Sequence, residues 1–192
     1  MAFEEKQQLR IEAKKHRAQI SPFDPTEDPE KAVDYFIEAL TPTNHDIIAL
    51  YMPKGDEFST AILCERLQNQ SIATALPRIH KDSRMLTFHD WNDGEPLETQ
   101  SYDIMAPLPS AKIVTPTIMV VPLLAFDRKG YRLGFGGGYY DATIQQVREN
   151  SAIQTVGWGF AKQAVIFNLP REDHDQRLDF VITPQQIYDH RD

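Results

Sequence analysis

The sequence predicts a single α/β domain over residues 1–192, with a mostly parallel, twisted sheet flanked by helices in a three-layer, Rossmann-like arrangement. Short apolar runs of strand length alternate with segments of helical periodicity, which is the pattern of βαβ units. A chain of 192 residues suits one compact domain. Its 41% hydrophobic and 25% charged shares are those of an ordinary globular protein.

Two helices are predicted near the N-terminus. Residues 3–20 are rich in helix formers and contain no Gly or Pro. At helical spacing, one stripe of this segment holds Leu9, Ala13, His16 and Ile20, and a basic row beside it holds Lys6, Arg10 and Arg17. Asp28 and Pro29 then predict an N-cap and first turn. The apolar stripe that follows, Val33, Phe36, Ile37 and Leu40, predicts a purely structural helix.

The remaining elements follow from apolar runs and helical periodicity. Residues 47–52 form a nearly continuous apolar run, typical of a strand that is buried on both faces. Helices are predicted at 59–68 and 139–149, and further strands at 72–76, 85–88, 118–126, 154–160, 165–169 and 178–183. Four prolines lie within 92–117, which predicts a loop-rich region.

Charge and cysteine content exclude several classes of protein. The formal net charge is −8, which disfavours a duplex-DNA binder because such a protein needs a basic face. Cys64 is the only cysteine, so an intrachain disulfide and a cysteine-based metal site are excluded. The apolar run at 118–126 is too short to cross a bilayer, and the first residues lack the apolar core of a signal peptide. We therefore expect a cytoplasmic protein that binds neither nucleic acid nor membranes.

Glycine is concentrated in one place. Five of the nine glycines lie between Gly130 and Gly138, after a predicted buried strand and before a predicted helix. Free backbone amides at a helix N-terminus favour phosphate, and glycine lets the backbone approach it closely. The loop matches neither GxGxxG nor a P-loop, and a tight turn is the structural alternative. The neighbouring cations Arg128, Lys129 and Arg132 favour anion binding.

A family resemblance emerges from these residues. The stretch RLGFGGGYYD at 132–141, preceded by LAFDRKGY, resembles the signature of 5-formyltetrahydrofolate cyclo-ligases. Four more blocks match in the same order: KQQLR at 6–10 with Arg17 and Ser21 following, YMPKGDEFST at 51–60, ALPRIHKDSRMLTFHDW at 75–91 and PREDHDQRLDFVIT at 170–183. Ala142 and Pro184 depart from common family residues, but both lie outside the matching blocks.

The resemblance implies an enzyme that converts 5-formyltetrahydrofolate into 5,10-methenyltetrahydrofolate while MgATP becomes ADP and phosphate. Phosphorylation of the formyl oxygen makes the formyl carbon electrophilic, and a folate nitrogen then closes the ring. Such chemistry depends on positioning and on neutralising a phosphoryl group in transit. The implied partners are the reduced folate and ATP, and we expect a monomer or a weak homo-oligomer.

The resemblance also assigns residues to ATP. Its phosphates would contact the basic helix and the glycine loop, with Arg132 as the main neutraliser of the transferred group and Lys6 as a second catalytic cation. The full set is Lys6, Gln7, Gln8, Leu9, Arg10, Arg132, Leu133, Gly134, Phe135, Gly136, Gly137, Gly138, Tyr139 and Tyr140. Without the resemblance, the basic row is more typical of a solvated helix face.

Metal and folate contacts complete the implied site. Asp141 and Asp175 would hold Mg²⁺, which prefers oxygen ligands, and Asp179 is left as an alternative to Asp175. As plain sequence features, these carboxylates are also typical of a helix first turn and a solvated acidic turn. The folate contacts would be Met52, Glu57, Gly136, Gly137, Gly138 and Tyr139. Charge alone suggests that His80, Lys81 and Arg84 meet the folate's glutamate carboxylates.

Two other functions stay open at this point. One is a MgATP-dependent ligase or kinase that acts on another small molecule with the same scaffold. The second is a non-catalytic protein that binds folate or nucleotide. The histidines show no HxxxH or HxH spacing, which disfavours a zinc site.

Overall fold

The computed structural model describes residues 2–20 and 24–191, so Ser21 lies outside the described residues. Its helices are α1 (Ala2–Arg17), α2 (Pro29–Leu40), α3 (Ala61–Asn69) and α4 (Tyr139–Asn150). Its strands are β1 (Ile47–Ala49), β2 (Ala73–His80), β3 (Ser83–Asp90), β4 (Leu97–Thr99), β5 (Met105–Pro107), β6 (Ile113–Val114), β7 (Ile118–Pro122), β8 (Ala125–Phe126), β9 (Arg132–Leu133), β10 (Gln154–Trp158), β11 (Phe180–Ile182) and β12 (Ile187–Asp189).

Eight of these strands form the central sheet, in the order β12-β11-β10-β7-β1-β2-β3-β6. The five central strands, from β11 to β2 in this order, run parallel to one another. The outer strands β12, β3 and β6 pair antiparallel. The prediction of a mostly parallel sheet is therefore confirmed, with antiparallel additions at both edges.

Helices cover both faces of the sheet, which confirms the three layers. On one face, the α2 and α3 side chains Phe36, Leu63 and Leu67 pack in one core cluster with strand residues such as Ile48 and Val120. On the opposite face, Ile144 of α4 packs with Ala49, Met119 and Val121. Alternate residues of β1 and β7 enter opposite clusters, as the two-residue period of a strand requires.

One predicted strand is wrong and one is divided. Residues 165–169 form no strand. The preceding residue, Ala164, makes an isolated bridge to Phe126, and the side chains of Ile166 and Phe167 are exposed. The run 118–126 leaves the sheet after Pro122 and continues as the short hairpin of β8 and β9. The predicted loop-rich region 92–117 contains β4, β5 and β6.

The topology places two loops side by side. From β1 the chain passes through α3 to β2 at one side, whereas from β7 it passes through α4 to β10 at the other. The strands β1 and β7 are adjacent and parallel, and the chain proceeds from them toward opposite edges of the sheet. The strand order therefore reverses between β1 and β7. Open α/β sheets bind ligands at such a switch point, beyond the carboxyl ends of the strands. The segments 50–60 and 123–138 leave this edge together.

Candidate active site at the carboxyl ends of the central strands

The glycine loop connects the β8–β9 hairpin to α4. Gly136 and Gly138 have φ angles of 101° and 69°, which only glycine adopts without strain. A Cβ at Gly136 would also lie 3.3 Å from Cζ of Arg10, whose Nε donates to the carbonyl of Gly134 at 3.0 Å. Gly138 is the N-cap of α4. The loop thus presents backbone at a helix N-terminus, with a guanidinium beside it.

Arg132 and Asp141 form an ion pair at this loop. Nη2 of Arg132 lies 3.0 Å from Oδ2 of Asp141, and the two side chains are 4% and 19% exposed. The other carboxylate oxygen of Asp141 accepts from the backbone N–H of Gln176 at 3.0 Å. Asp141 therefore lies against the turn that contains Asp175.

Lys6 lies in a matching pair on the other side of that turn. Its side chain is 6% exposed, and Nζ lies 2.5 Å from Oδ2 of Asp175 and 3.0 Å from Oε2 of Glu172. Asp175 also accepts from the backbone N–H of Glu172 at 2.6 Å. Each predicted metal ligand is thus paired with a predicted phosphate-binding cation, Asp175 with Lys6 and Asp141 with Arg132.

The carboxylates around this turn suit a hard cation. Ligand atoms of Glu172, His174 and Asp175 lie within 4.8 Å of one another, and Asp141 is joined to the same turn through Gln176. Carboxylate oxygens of this kind are the ligands that Mg²⁺ prefers. Asp179 has another role, because its Oδ2 accepts from Thr155 and Arg148 and so links β11 to β10 and α4.

The other predicted ATP residues fall into two groups. Gln7 and Gln8 are exposed on α1, and Gln8 donates to Glu12. Leu9 packs against an apolar cluster that includes Leu133, so its side chain serves the docking of α1. Among the loop residues, Phe135 and Gly137 are exposed, whereas Tyr139 and Tyr140 are half-buried at the start of α4.

Glu57 lies in the segment after β1, as predicted. Its Oε2 accepts from the backbone N–H of Lys54 at 2.8 Å. Burial raises the pKa of this carboxyl, and the nearby Arg17 charge partly opposes the shift. Burial and the Glu57 charge together raise the pKa of the Tyr140 hydroxyl. Glu57 therefore lies near Tyr140 in the first turn of α4, and Met52, in the same segment as Glu57, packs against the core.

Of the three residues predicted to meet the folate's glutamate carboxylates, His80, Lys81 and Arg84, the structure brings Arg84 near the glycine loop. Nη1 of Arg84 lies 4.0 Å from the position of a Cβ at Gly138, and its charge acts on the hydroxyl of Tyr139. His80 contacts the Thr87 hydroxyl on its own hairpin, and Lys81 is exposed.

Two site residues were missed by sequence reasoning. Tyr102 lies on the turn between β4 and β5, with its ring centroid 6.5 Å from that of Tyr139 and its carbonyl bound by Lys54. No sequence signal marked it, because it falls in the region predicted as loop-rich. Arg17 is buried beside Phe135 and Asp56. Its place in the basic row was the available signal, but that row was assigned to ATP only through Lys6 and Arg10.

Fold and site together define an α/β protein with a phosphate-type loop beside paired cations and carboxylates at a topological switch point. The chain belongs to the 5-formyltetrahydrofolate cyclo-ligase family, whose model matches residues 2–184. This confirms the resemblance. No helix among the described residues has the length and apolar character needed to span a membrane.

Individual relatives agree over most of their length. A 5-formyltetrahydrofolate cyclo-ligase of Haemophilus influenzae is 32% identical over 183 residues, covering 93% of this chain and 97% of the relative. The Escherichia coli protein of that name is 31% identical, covering 74% and 80%. The solved structure of Aquifex aeolicus 5,10-methenyltetrahydrofolate synthetase superposes with a TM-score of 0.78 at 25% identity, covering 97% of this chain and 93% of that one.

Proposed function

We propose that this protein catalyses the ATP- and Mg²⁺-dependent cyclisation of 5-formyltetrahydrofolate to 5,10-methenyltetrahydrofolate, with release of ADP and phosphate. One observation carries the assignment of the site. The cation–carboxylate pairs Lys6–Asp175 and Arg132–Asp141 lie around the turn at 172–176, and Glu57, in the segment after β1, lies close enough to α4 for its charge to act on the Tyr140 hydroxyl. The two substrates would then meet between neighbouring loops.

The reaction has two bond exchanges. The formyl oxygen attacks the γ-phosphorus of ATP, so that a new O–P bond forms while the bond from phosphorus to the leaving ADP oxygen breaks. The neighbouring folate nitrogen then attacks the formyl carbon, loses its proton, and the C–O bond to phosphate breaks. Neither exchange requires a protein nucleophile, so catalysis rests on alignment and charge neutralisation.

The paired charges explain how the chain receives its nucleotide. Lys6 and Arg132 are already neutralised by carboxylates, so neither a bare polyphosphate nor a bare divalent cation finds a free partner there. MgATP brings both signs of charge: its phosphates would take Lys6, Arg10 and Arg132, and Asp141 and Asp175 would hold the metal. Mg²⁺ bound there would neutralise phosphate charge and orient the γ-phosphoryl group.

The folate would occupy the side of the site lined by Glu57. A carboxylate accepts hydrogen bonds from the N–H edge of a pterin, Met52 supplies apolar surface, and Tyr139 supplies an aromatic face. Arg84 at the mouth, with Lys81 on the same hairpin, would attract the glutamate carboxylates. The KM for polyglutamylated substrate in a double Lys81→Ala, Arg84→Ala variant tests this last role, and an unchanged KM would contradict it.

One assay separates the candidate functions. Protein, MgATP and 5-formyltetrahydrofolate are mixed, and the near-ultraviolet absorbance of the methenyl product is followed together with ADP release. We expect both signals in equal amounts and neither after chelation of Mg²⁺. ADP without the methenyl product would instead indicate a ligase or kinase for another small molecule. Folate binding without either product would indicate a binding protein.

We also propose that the protein acts in the cytoplasm without nucleic acid or membrane. Its net charge of −8 opposes association with polyphosphate backbones. A monomer of 22.0 kDa, or a weak homo-oligomer of it, is expected in light scattering behind size-exclusion chromatography. A concentration-independent larger mass would contradict this expectation.

A further inference from the structure

Arg17, the last residue of α1, holds a buried guanidinium whose hydrogen bonds are incomplete. Its side chain is 4% exposed. Nε and Nη2 both donate to Oδ1 of Asp56, at 3.1 and 2.5 Å. Its third nitrogen, Nη1, is buried and finds no acceptor within residues 2–20 and 24–191.

An unsatisfied donor on a buried cation is costly. Leaving such a group without a partner is unfavourable, and more so when the group is charged. Arginine does not escape the cost by losing its proton, because its pKa lies far above neutrality. Nothing in the described fold offsets this cost, since Asp56 is bound through the other two nitrogens. The free Nη1 therefore points to an acceptor that arrives with a ligand.

The surroundings of Arg17 identify which ligand. The guanidinium carbon lies 5.2 Å from the ring centroid of Phe135, in the glycine loop, and its hydrogen-bond partner Asp56 precedes Glu57. The charge of Arg17 also acts on Glu57 and on the hydroxyl of Tyr51. Arg17 thus lies where the loop predicted to hold folate meets the glycine loop.

The position of the pair favours an acceptor on the folate. Asp56 directly precedes Glu57, the predicted folate contact, and Arg17 lies close enough for its charge to act on the Glu57 carboxyl. The phosphate-type cations Lys6 and Arg132 are instead paired around the turn that holds Asp175. A carbonyl oxygen of the folate, carried by the formyl group or the pterin ring, matches Nη1 better than a phosphate oxygen.

We propose that Arg17 is a substrate-binding residue, whose Nη1 donates to a carbonyl oxygen of the reduced folate while its other nitrogens hold the Asp56–Glu57 segment in place. The proposal rests on the function proposed above. It gives the last residue of α1 a role on the folate side, separate from the phosphate side that Lys6 and Arg10 serve.

Binding measurements on Arg17→Met and Arg17→Lys test the proposal. A hydrogen bond to a charged group contributes about 1.5–3 kcal/mol, so we expect Arg17→Met to raise the Kd for 5-formyltetrahydrofolate about tenfold to hundredfold. The Kd for a non-hydrolysable MgATP analogue should stay within about twofold. Arg17→Lys keeps the charge beside Asp56 but lacks the forked donor, so it should recover only part of the folate affinity.

Asp56→Asn is the matched control. It keeps Arg17 and an oxygen acceptor at position 56 and removes only the charge of the pair, so folate affinity should change less than in Arg17→Met. Thermal unfolding of each variant reports whether the fold is intact. If Arg17→Met does not fold, Arg17→Lys against Asp56→Asn still decides, because the proposal requires the lysine variant to bind folate more weakly.

A pH profile tests whether Arg17 also acts on folate affinity through the charge of Glu57. The groups that act on Glu57 are Arg17, Lys54 and Asp56, with the hydroxyls of Tyr51 and Tyr140 on the adjoining elements. Burial already raises the pKa of Glu57 above its ordinary 4.5, and loss of the Arg17 charge raises it further. The fall of folate affinity at acidic pH should therefore begin at higher pH in Arg17→Met than in Arg17→Lys.

Four outcomes would overturn the proposal. These are unchanged folate affinity in Arg17→Met, a selective loss of nucleotide affinity, an equal loss for both ligands, and folate affinity in Arg17→Lys equal to that of the unmodified protein. All four are read against an unmodified protein that binds and converts 5-formyltetrahydrofolate. If the unmodified protein binds no 5-formyltetrahydrofolate, the proposed function itself has failed. If it binds and converts the folate but one of the four outcomes occurs, the proposal for Arg17 alone has failed.

Discussion

Helices α1 and α2 lie next to each other in sequence but attach to the domain by opposite means. In α2, Val33 and Phe36 are fully buried, and the Phe36 ring packs edge-on against Trp158 at 6.1 Å. Among the α1 side chains that the structure describes, those of residues 4–17, the buried ones are Lys6 and Arg17, both charged. Within residues 4–17, Leu9 and Ala13 pack on a small cluster that includes Ala125 and Leu133 of the hairpin of β8 and β9.

This difference separates scaffold from site. The buried side chains of α2 are all apolar, and its ion pairs with Arg66 lie on the exposed surface. The polar contacts of α1 join Lys6, Arg10 and Arg17 to the turn at 172–176, the glycine loop and the segment after β1. In the proposed function the same cations contact substrates. Attachment of α1 and ligand binding therefore compete for the same groups, and substitutions in the two regions should affect different measurements.

The largest expected effect is a fall in kcat when Arg132 is replaced. Arg132→Ala removes the cation that we assign to the transferred phosphoryl group and leaves Asp141 without its ion-pair partner. An arginine in this role contributes about 10³ to 10⁵ in rate, or roughly 4 to 7 kcal/mol of barrier. We expect kcat to fall by that factor in single-turnover and steady-state assays. A fall of less than about tenfold would remove Arg132 from this role.

Phe36→Ala should have the opposite effect: it should lower the stability of the fold and leave kcat unchanged. Truncating a fully buried phenylalanine costs about 3–5 kcal/mol of unfolding free energy, from lost apolar burial and the cavity left against Trp158. Urea unfolding at fixed pH measures the loss, and kcat per folded molecule should stay the same. Phe167→Ala is the control, because that ring is 48% exposed and its loss should cost little. A large fall of kcat in folded Phe36→Ala would contradict the assignment of α2 to the scaffold and not to the site.

The same contrast explains how much of the fold was predictable. For α2 the start was predicted to the residue, because Asp28 caps the Glu30 amide and Pro29 fills the first turn, both local signals. The run at 47–52 was predicted too long: β1 ends at Ala49, while Leu50 and Tyr51 stay buried beyond the paired region. Apolar character reports burial, not strand pairing. At 165–169 apolar character reported neither pairing nor burial, since Ile166 is 87% exposed.

The site was predictable only in part. The glycine loop lies between one strand and one helix, so its place at a helix N-terminus was predictable from local sequence, while the anion site there stays a prediction. The pairing of Lys6 with Asp175 joins residues 169 positions apart, and no local pattern records it. The buried state of Arg17 depends on Asp56 and Phe135, which lie on two other segments. Such contacts are set by the topology of the sheet.

Lys6→Met tests whether the attachment of α1 competes with ligands. Loss of the ammonium should weaken MgATP binding about tenfold to hundredfold, since a hydrogen bond to a charged group contributes about 1.5–3 kcal/mol. Asp175 and Glu172 are then left without their cation, so Mg²⁺ alone should bind more tightly. The measurement is the rise in unfolding temperature on titration with MgCl₂, against Lys15→Met on the exposed side of α1. Unchanged stabilisation by Mg²⁺ would contradict the competition.

The smallest expected effect is in the ion pairs that resemble those of α1 but lie on the α2 surface. Arg66 of α3 lies 3.1 Å from Glu30 and 3.3 Å from Asp34, with all three side chains more than a third exposed. Exposed pairs contribute about 0–1 kcal/mol each and are screened by salt. Arg66→Ala should therefore change the unfolding free energy by less than about 1 kcal/mol and leave kcat unchanged. The buried Lys6 and Arg132 pairs differ in that a substrate is proposed to use them. If Arg66→Ala lowered kcat as much as Lys6→Met, burial beside the glycine loop would not be what gives those pairs their function.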